Sequence, residues 1–562
     1  MTRPSAHVLA CAALLSLGAL ALYSYTALPG PGWVDSGELA VVSHTLGIPH
    51  PTGSPLYVVT SRLVTLVGPG EFWPLTLLSG LCVAGAVVLV MLAVPAPVGA
   101  STLGAVAAAG VMLAGAPSLW GQATSNEVYA LQALLFSLFL FLRTREGARV
   151  RALSAFVAGL AFANHQSALF LSPFLIADVW KGRRTWLVVF GLGLLGVSLY
   201  LYLPIRSAQQ PLMDWGGTHE WARFVRHIMG WQYKNWVGLE NLEAYWRALG
   251  FALGHVARNL AFVGVPVALY GWWVLRRQQA AAAWTSLCAF GLCLVFGINF
   301  PNPDLEAFYM LLYVLCAGWA GLGLWHLAKR RAVIGWVASA AVVACTLVQG
   351  WVIFPAANLR NFTVPTDWVE DALATMEPGA VVLTREWDHY SPWLYLRFVK
   401  GVRPDVTWID TELLRRSWYP DFIRRVDSAR TQAALPPLQQ LAPQIAKFES
   451  GEPYRAEEIE RAYASAIYAL SLGQGGPVYV DGIADGPSVW GVERVYLRGV
   501  LEVPWGLTVR LFRPGDAVPS PPAWWGTYRD RLPAQNDSPR TRFHLELYRR
   551  MRQARELYIT SG

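Results

Sequence analysis

The apolar segment HVLACAALLSLGALALYSYTAL (residues 7–28) contains no Asp, Glu, Lys or Arg. It is long enough to cross the hydrocarbon core of a bilayer as one helix. Arg3 precedes it, as in a cleavable signal peptide, but the segment is long for such a peptide and no clear A-x-A cleavage site follows. The sequence therefore predicts an uncleaved first membrane span, with the N-terminus in the cytoplasm.

The composition extends this prediction to the rest of the chain. The 562 residues are 54% hydrophobic and only 15% charged, and the mean hydropathy is +0.34, which excludes disorder and favours an integral membrane protein. The net charge of +8 would suit nucleic-acid binding. Many Lys and Arg residues, however, lie in short clusters between apolar segments, a pattern typical of membrane topology instead. The six cysteines lie in apolar segments without metal-ligand spacing, so we expect no disulfide in the C-terminal part.

Eleven apolar segments are predicted to span the membrane. They are 7–28, 73–94, 101–117, 128–142, 152–163, 167–180, 185–203, 260–275, 281–298, 305–325 and 332–354. The positive-inside rule places the basic clusters between them in the cytoplasm, namely 143–151, 181–184, 276–279 and 329–331. A single helix over 152–180 would put the first two clusters on opposite faces. The charges therefore favour two short helices, joined at an outer turn over 164–166.

The remainder of the chain reads as a separate domain. We divide the protein into a transmembrane domain (1–354) and an extracytoplasmic α/β domain (355–562). Within the latter, 379–410 has a strand–helix–strand pattern, 456–472 is an amphipathic helix, and GPVYVDGI and GLTVRLFRPGD are strands. No G-x-G-x-x-G or P-loop motif occurs, so nucleotide binding has no support.

Ionisable residues near the ends of apolar segments are the candidate site, because charge at membrane depth is costly. The topology places several clusters on one outer face: Asp35 and Glu38, His50, Glu127, His165, Asp304 and Glu306, with Arg206 just beyond a span. Each has a structural alternative. In particular, Asp35 and Glu38 have the spacing of a capping box at a helix N-terminus.

This set of residues allows group transfer from a membrane-anchored phosphate donor. A carboxylate can abstract a proton from an acceptor hydroxyl, and an arginine can bind a phosphate leaving group through two hydrogen bonds. A transporter of lipids or oligosaccharides would need ionisable residues near span centres, and few occur. A scaffold protein acting through its soluble domain is a further alternative.

Several motifs resemble one family of multispanning proteins. They are DSGE followed by LGIPHPTGSPLY, NEVYAL, YLPIR with a following WGG, NPDLEAFY, and VVLTREWDHYSPWLYLRFVKGVRPDV with a following WYP. The sequence is similar there to a large bacterial family whose animal relative is the endoplasmic-reticulum O-mannosyltransferase acting on plexin and receptor-kinase domains. That family is similar to the GT-C glycosyltransferases. In two places the motifs depart from the family pattern: Thr52 and Ser54 replace an expected Pro and Tyr, and EWDHY replaces a GDN-like pattern, which leaves the roles of Asp388 and His389 open.

The resemblance implies a polyprenyl-phosphate sugar as donor and an acidic motif in the first extracytoplasmic loop, with Asp35 as general base and Glu38 beside it. The predicted function is inverting transfer of a sugar, such as mannose, to an exported protein or glycan at a bacterial inner membrane. An enzyme that glycosylates envelope lipid or glycan is the closest alternative. The residues predicted to bind donor or acceptor are His50, Tyr57, Glu127, Tyr129, His165, Arg206, Asp304 and Glu306. No compact motif calls for a metal, although two acids and a histidine in one loop could bind a divalent cation.

Overall fold

The computed structural model describes residues 5–95, 99–179, 183–236, 238–239, 241–300, 305–481, 499–522 and 538–561. Seventeen α-helices precede the sheet-bearing domain within these ranges. They are α1 (Ala6–Thr26), α2 (Ser36–Thr45), α3 (Pro55–Thr65), α4 (Trp73–Ala93), α5 (Ala100–Ala114), α6 (Pro117–Thr124), α7 (Val128–Arg143), α8 (Ala148–Asn164), α9 (Ser172–Val179), α10 (Arg183–Val197), α11 (Tyr202–Ser207), α12 (Trp221–Ile228), α13 (Leu242–Asn259), α14 (Gly264–Gln278), α15 (Ala280–Asn299), α16 (Met310–Arg330) and α17 (Ala332–Ala357).

Every apolar segment predicted as a span coincides largely with helix. Among the described residues, six helices are long and apolar enough to cross a membrane, or eight if each of two bent pairs forms one span. The protein is thus a multi-pass membrane protein, and the count of eleven stays a prediction. The break predicted inside 152–180 is confirmed, since α8 ends at Asn164 and a 3₁₀-helix (Gln166–Leu171) leads into α9.

Close contacts between small residues hold the helices together. Helices α14 and α16 meet at Gly271 and Gly323, where a Cβ added at Gly271 would overlap the carbonyl oxygen of Trp319. Small residues let helix backbones approach within van der Waals distance, which is a main source of helix association inside a bilayer.

The C-terminal part contains a five-stranded sheet flanked by helices. Its strands are β1 (Val381–Thr384), β2 (Thr407–Asp410), β3 (Val478–Asp481), β4 (Leu501–Trp505) and β5 (Thr508–Phe512). The helices are α18 (Val364–Ala374), α19 (Trp387–Phe398), α20 (Tyr419–Val426), α21 (Ser428–Ala433), α22 (Leu435–Ser450), α23 (Ala456–Leu470) and α24 (Pro539–Ser561). The strand order is β2-β1-β3-β5-β4. The predicted strand–helix–strand unit corresponds to β1, α19 and β2, and the predicted amphipathic helix corresponds to α23.

Helix α19 connects two parallel strands of the sheet and contacts the transmembrane part. Strand β1 is parallel to both β2 and β3, whereas β5 is antiparallel to β3 and β4. The crossover from β1 to β2 is α19, whose N-terminal turn packs against the start of α2. A Cβ added at Gly37 would overlap the carbonyl oxygen of Ser391, so the two helices touch backbone to backbone at this point.

We predict that Gly271→Ala lowers the stability of the protein in detergent, because the new methyl group must separate α14 from α16. Overpacking of this kind costs about 1–3 kcal/mol. Thermal unfolding followed by size-exclusion chromatography measures the loss. The matched control is Gly291→Ala in α15, where an added Cβ meets no atom within 4 Å among the described residues. Equal stability of the two variants would contradict the packing argument.

Candidate active site

The segment between α1 and α3, which includes the short helix α2, supplies the central residues of the site. Asp35 occupies the N-cap position of α2, but its side chain makes no capping hydrogen bond. The hydrogen bond from the helix backbone to Asp35 that a capping box requires is therefore absent. The Asp35 carboxylate accepts instead from the indole Nε1 of Trp387 at 2.8 Å. At its other end, α2 is followed by Leu46, which adopts a left-handed conformation with φ of 53°. The proline-rich turn then brings His50 back toward Asp35.

Buried Glu38 and half-buried His50 form a pair next to Asp35. The fully buried Glu38 carboxylate accepts from the backbone N–H of His50 at 2.7 Å, and its second oxygen lies 2.8 Å from His50 Nδ1. The other ring nitrogen of His50, Nε2, is 3.7 Å from Asp35 Oδ2. One imidazole thus bridges two carboxylates.

The electrostatics of the pair favour a charged imidazole. Burial alone would lower the pKa of His50, but the negative charges of Asp35 and Glu38 outweigh it and raise that pKa to about 10. Burial raises the pKa of Glu38, and the adjacent His50 opposes this shift. His50 is therefore an imidazolium at neutral pH and neutralises the buried carboxylate.

A cavity of about 760 Å³ opens above this pair, at the junction of the helices and the sheet-bearing domain. This volume is typical of small-molecule sites. The structure brings six of the predicted site residues to its wall: Asp35, His50, Glu127, Tyr129, His165 and Glu306.

Glu127 reaches the cavity because the start of α7 is tied to the start of α2. Asn126 is buried, its amide donates to the carbonyl of Ser36 at 3.0 Å, and its side-chain oxygen accepts from the Ser36 hydroxyl. Glu127, the N-cap residue of α7, is thereby held on the same side of the cavity as Asp35.

An aromatic wall faces these acids. The ring of Tyr129 lies 5.1 Å from that of His165 and 5.6 Å from that of Phe308. Burial, together with the charge of His50, lowers the pKa of His165 to about 4. His165 is therefore neutral at physiological pH. On the far side, Glu306 Oε2 lies 3.1 Å from His255 Nδ1.

Three of the predicted residues that the structure describes are not on the cavity wall. Glu38 is buried behind His50, and Tyr57 is buried within α3. Asp304 lies outside the described residues. Arg206 is turned away from the cavity, since its Nε donates to Leu46 O at 2.7 Å and a terminal nitrogen donates to Thr45 O at 3.1 Å. The structure therefore does not support a phosphate-binding role for Arg206, because these two bonds hold its guanidinium at the carbonyls where α2 ends.

The sheet-bearing domain also contributes Trp387 and Arg540 to the cavity wall. The sequence had not indicated either residue as part of the site. The motif EWDHY contains the first of them and was already conspicuous in sequence. Arg540 lies at the start of α24 and its Nε is 3.1 Å from Asp388 Oδ2. It is the only Arg or Lys that lines the cavity in the described part of the chain.

Asp35, Glu38 and His50 are also the one group of described residues whose side chains could share a metal ion, with ligand atoms within 4.8 Å of one another. A divalent cation there would replace a proton on one of the two ring nitrogens of His50, because a metal-bound imidazole nitrogen carries no hydrogen.

Part of this site lies in a region that is similar to known proteins. Residues 35–184 match the family model of the N-terminal domain of protein O-mannosyl-transferase TMEM260. Protein O-mannosyl-transferase TMEM260 from Mus musculus is 25% identical over 438 residues, which are 70% of this chain and 61% of that protein. The Dictyostelium discoideum protein of the same name is 21% identical over 73% of this chain and 58% of its own length. The resemblance carried by the sequence motifs is thereby confirmed, and the chain spans about three fifths of each of these curated relatives.

Two solved structures are also similar. ArnT from Cupriavidus metallidurans bound to undecaprenyl phosphate has a TM-score of 0.47 and 15% identity, over 89% of this chain and 97% of that one. The Archaeoglobus fulgidus oligosaccharyltransferase in complex with Zn and sulfate has a TM-score of 0.47 and 14% identity, over 84% of this chain and 68% of that one.

We predict that His50→Gln removes a pH-dependent part of the stability. In the unfolded chain the imidazole loses its proton near pH 6.5, whereas in the folded protein it keeps the proton up to about pH 10. The ion pair therefore contributes fully below about pH 6.5, and its contribution is lost as the pH rises to 10. We expect the variant to be less stable by roughly 3 kcal/mol at pH 6.5, with the difference shrinking toward pH 10.

Thermal unfolding in detergent between pH 6 and 10 measures this difference. The control is His7→Gln, since the His7 side chain is exposed. Stability curves for wild type and His50→Gln that run parallel over the whole pH range would contradict the assignment of a charged His50.

Proposed function

We propose that the protein is a GT-C-type membrane glycosyltransferase that moves a sugar, mannose in the first instance, from a polyprenyl-phosphate donor to a Ser or Thr hydroxyl of an exported protein. The observation that carries this proposal is the cavity in which Asp35, Glu127, His50 and Arg540 converge. Its first-loop wall lies in the region that matches the O-mannosyl-transferase model, and the two curated relatives are named protein O-mannosyl-transferases.

Asp35 is the general base in this proposal. Its Oδ1 accepts from Trp387, so Oδ2 is the oxygen that takes the proton of the acceptor hydroxyl. The acceptor oxygen then forms a bond to the anomeric carbon while the bond from that carbon to the phosphate oxygen breaks. Because this is a single displacement, the configuration at the anomeric carbon inverts.

Glu38 and His50 support the base without reacting. The imidazolium of His50 lines the cavity, and its Nε2 lies 3.7 Å from Asp35 Oδ2. Once Asp35 is protonated, the pair of Glu38 and His50 remains neutral overall, so no net buried charge is created.

Arg540 is the group best suited to the phosphate. Its contact with Asp388 is made through Nε, and a guanidinium can bind phosphate with its terminal nitrogens in a bidentate arrangement. Glu127, Glu306 and the neutral His165 lie on the same wall and are suited to accept or donate hydrogen bonds to sugar hydroxyls.

The proposed topology follows the charge distribution. Eleven spans, with the basic clusters in the cytoplasm, put the cavity and the sheet-bearing domain outside the cytoplasm of a bacterial inner membrane. The donor would then enter from the bilayer, with its phosphate at the depth of the cavity, and the exported acceptor would reach the cavity from the aqueous side.

Asp35→Asn should lower transfer by a factor of about 10²–10⁴, the usual contribution of a general base, while folded yield stays normal. Transfer of radiolabelled mannose from polyprenyl-phosphomannose to a Ser/Thr peptide by the purified enzyme measures the effect. Asp421→Asn is the control, because Asp421 is exposed and pairs only with Arg424 in the described structure. Wild-type activity in Asp35→Asn would rule out this base, and activity of the wild type only toward a lipid or glycan acceptor would move the proposal to that substrate class.

Arg540→Gln should raise the KM for the donor about tenfold, since a charge-assisted phosphate contact contributes roughly 1.5–3 kcal/mol. Initial rates over a range of donor concentrations give this value. Arg549→Gln, on the exposed side of the same helix, should leave the donor KM unchanged.

Arg206→Gln should lower the folded yield without changing the donor KM. A normal yield with a raised donor KM would restore Arg206 as the phosphate ligand.

A further inference from the structure

The N-terminal turn of α19 holds the residues on either side of Asp35. The backbone N–H of Val34 donates to Asp388 Oδ1 at 2.9 Å, and the backbone N–H of Glu38 donates to Ser391 Oγ at 3.0 Å. Helix α19 belongs to the sheet-bearing domain, so the loop that carries the proposed base is bound by a part of the chain far away in sequence.

The backbone of this loop needs such support. Val34 has φ of 60°, a left-handed conformation that is costly for a β-branched residue, by about 1–3 kcal/mol, unless the surroundings maintain it. The hydrogen bond to Asp388 is made by the N–H of this same residue, and Asp388 is in turn 3.1 Å from Arg540 Nε. The strained residue is therefore anchored immediately before Asp35.

Trp387 acts on the carboxylate itself. Its indole Nε1 donates to Asp35 Oδ1 at 2.8 Å, and its ring lines the cavity. The ring is held in turn by an edge-to-face contact with Trp215, at 5.7 Å and 82°. An indole N–H is a donor only, so this bond fixes the side chain of Asp35 without removing its ability to accept a proton at Oδ2.

We propose that Trp387 is a positioning residue that orients the Asp35 carboxylate, so that helix α19 of the sheet-bearing domain completes the active site. This inference rests on the proposed function of Asp35. Transfer requires the base oxygen within hydrogen-bond reach of the acceptor hydroxyl. An Asp35 free to rotate would spend much of its time in other rotamers, which lowers the rate of the chemical step rather than substrate affinity.

Trp387→Phe tests the inference because it keeps most of the ring and removes the N–H. We expect kcat to fall roughly 10- to 100-fold, the scale of a small misplacement of a reacting group, with the KM of donor and acceptor changed by less than about twofold. The matched control is Trp393→Phe on the same helix. Trp393 is fully buried and its Nε1 has no hydrogen-bond partner among the described residues, so this variant should keep kcat within about twofold once folded yield is matched.

A double-mutant cycle separates positioning from general damage to the structure. If Trp387 acts through Asp35, adding Trp387→Phe to Asp35→Asn should not lower the residual rate further, because the effects of coupled residues are not additive. Additive losses in the double variant, or a Trp387→Phe enzyme with the kcat of Trp393→Phe, would overturn the positioning role.

The same variants distinguish a failure of the positioning role of Trp387 from a failure of the proposed function. If Asp35→Asn alone retains wild-type activity, the base is wrong and the positioning inference falls with it. If Asp35→Asn is inactive while Trp387→Phe has the kcat of its control, Asp35 remains the base and only the role of Trp387 is lost.

Discussion

A buried carboxylate without a partner would be too costly to keep, and the site depends on how this cost is met at Glu38. The imidazolium of His50 and the backbone N–H of the same residue both engage it. Because His50 must return to Glu38, the proline-rich turn after α2 has to fold back over the start of that helix. The fold of the proline-rich turn and the floor of the cavity follow from this ion pair.

The cavity is assembled from parts of the chain that lie far apart in sequence. The first loop provides its floor, the starts of α7 and of the 3₁₀-helix after α8 provide the aromatic and acidic walls, and α19 and α24 provide Trp387 and Arg540. Direct backbone contact between α2 and α19 at Gly37 fixes the sheet-bearing domain to the helices. The helices of this domain therefore contribute side chains to the site.

Local patterns were sufficient to predict the apolar helices, the break at His165, the strand–helix–strand unit and six side chains of the cavity wall. Apolar length determines where helices form, and the cost of charge at membrane depth restricts ionisable residues to a few positions. Contacts between distant segments have no such local signal. Arg206 looked suited to phosphate because it follows an apolar segment, but its environment depends on how α11 packs against the end of α2. Trp387 and Arg540 could be assigned only once the docking of the sheet-bearing domain was known.

The location of Arg540 in the last described helix has a consequence for folding. Arg540 follows Asp35 by about 500 residues, so the cavity holds both its carboxylate and its guanidinium only when α24 has packed beside α19 and the first loop. A chain whose transmembrane helices are packed while the sheet-bearing domain is still unfolded would present the carboxylate alone.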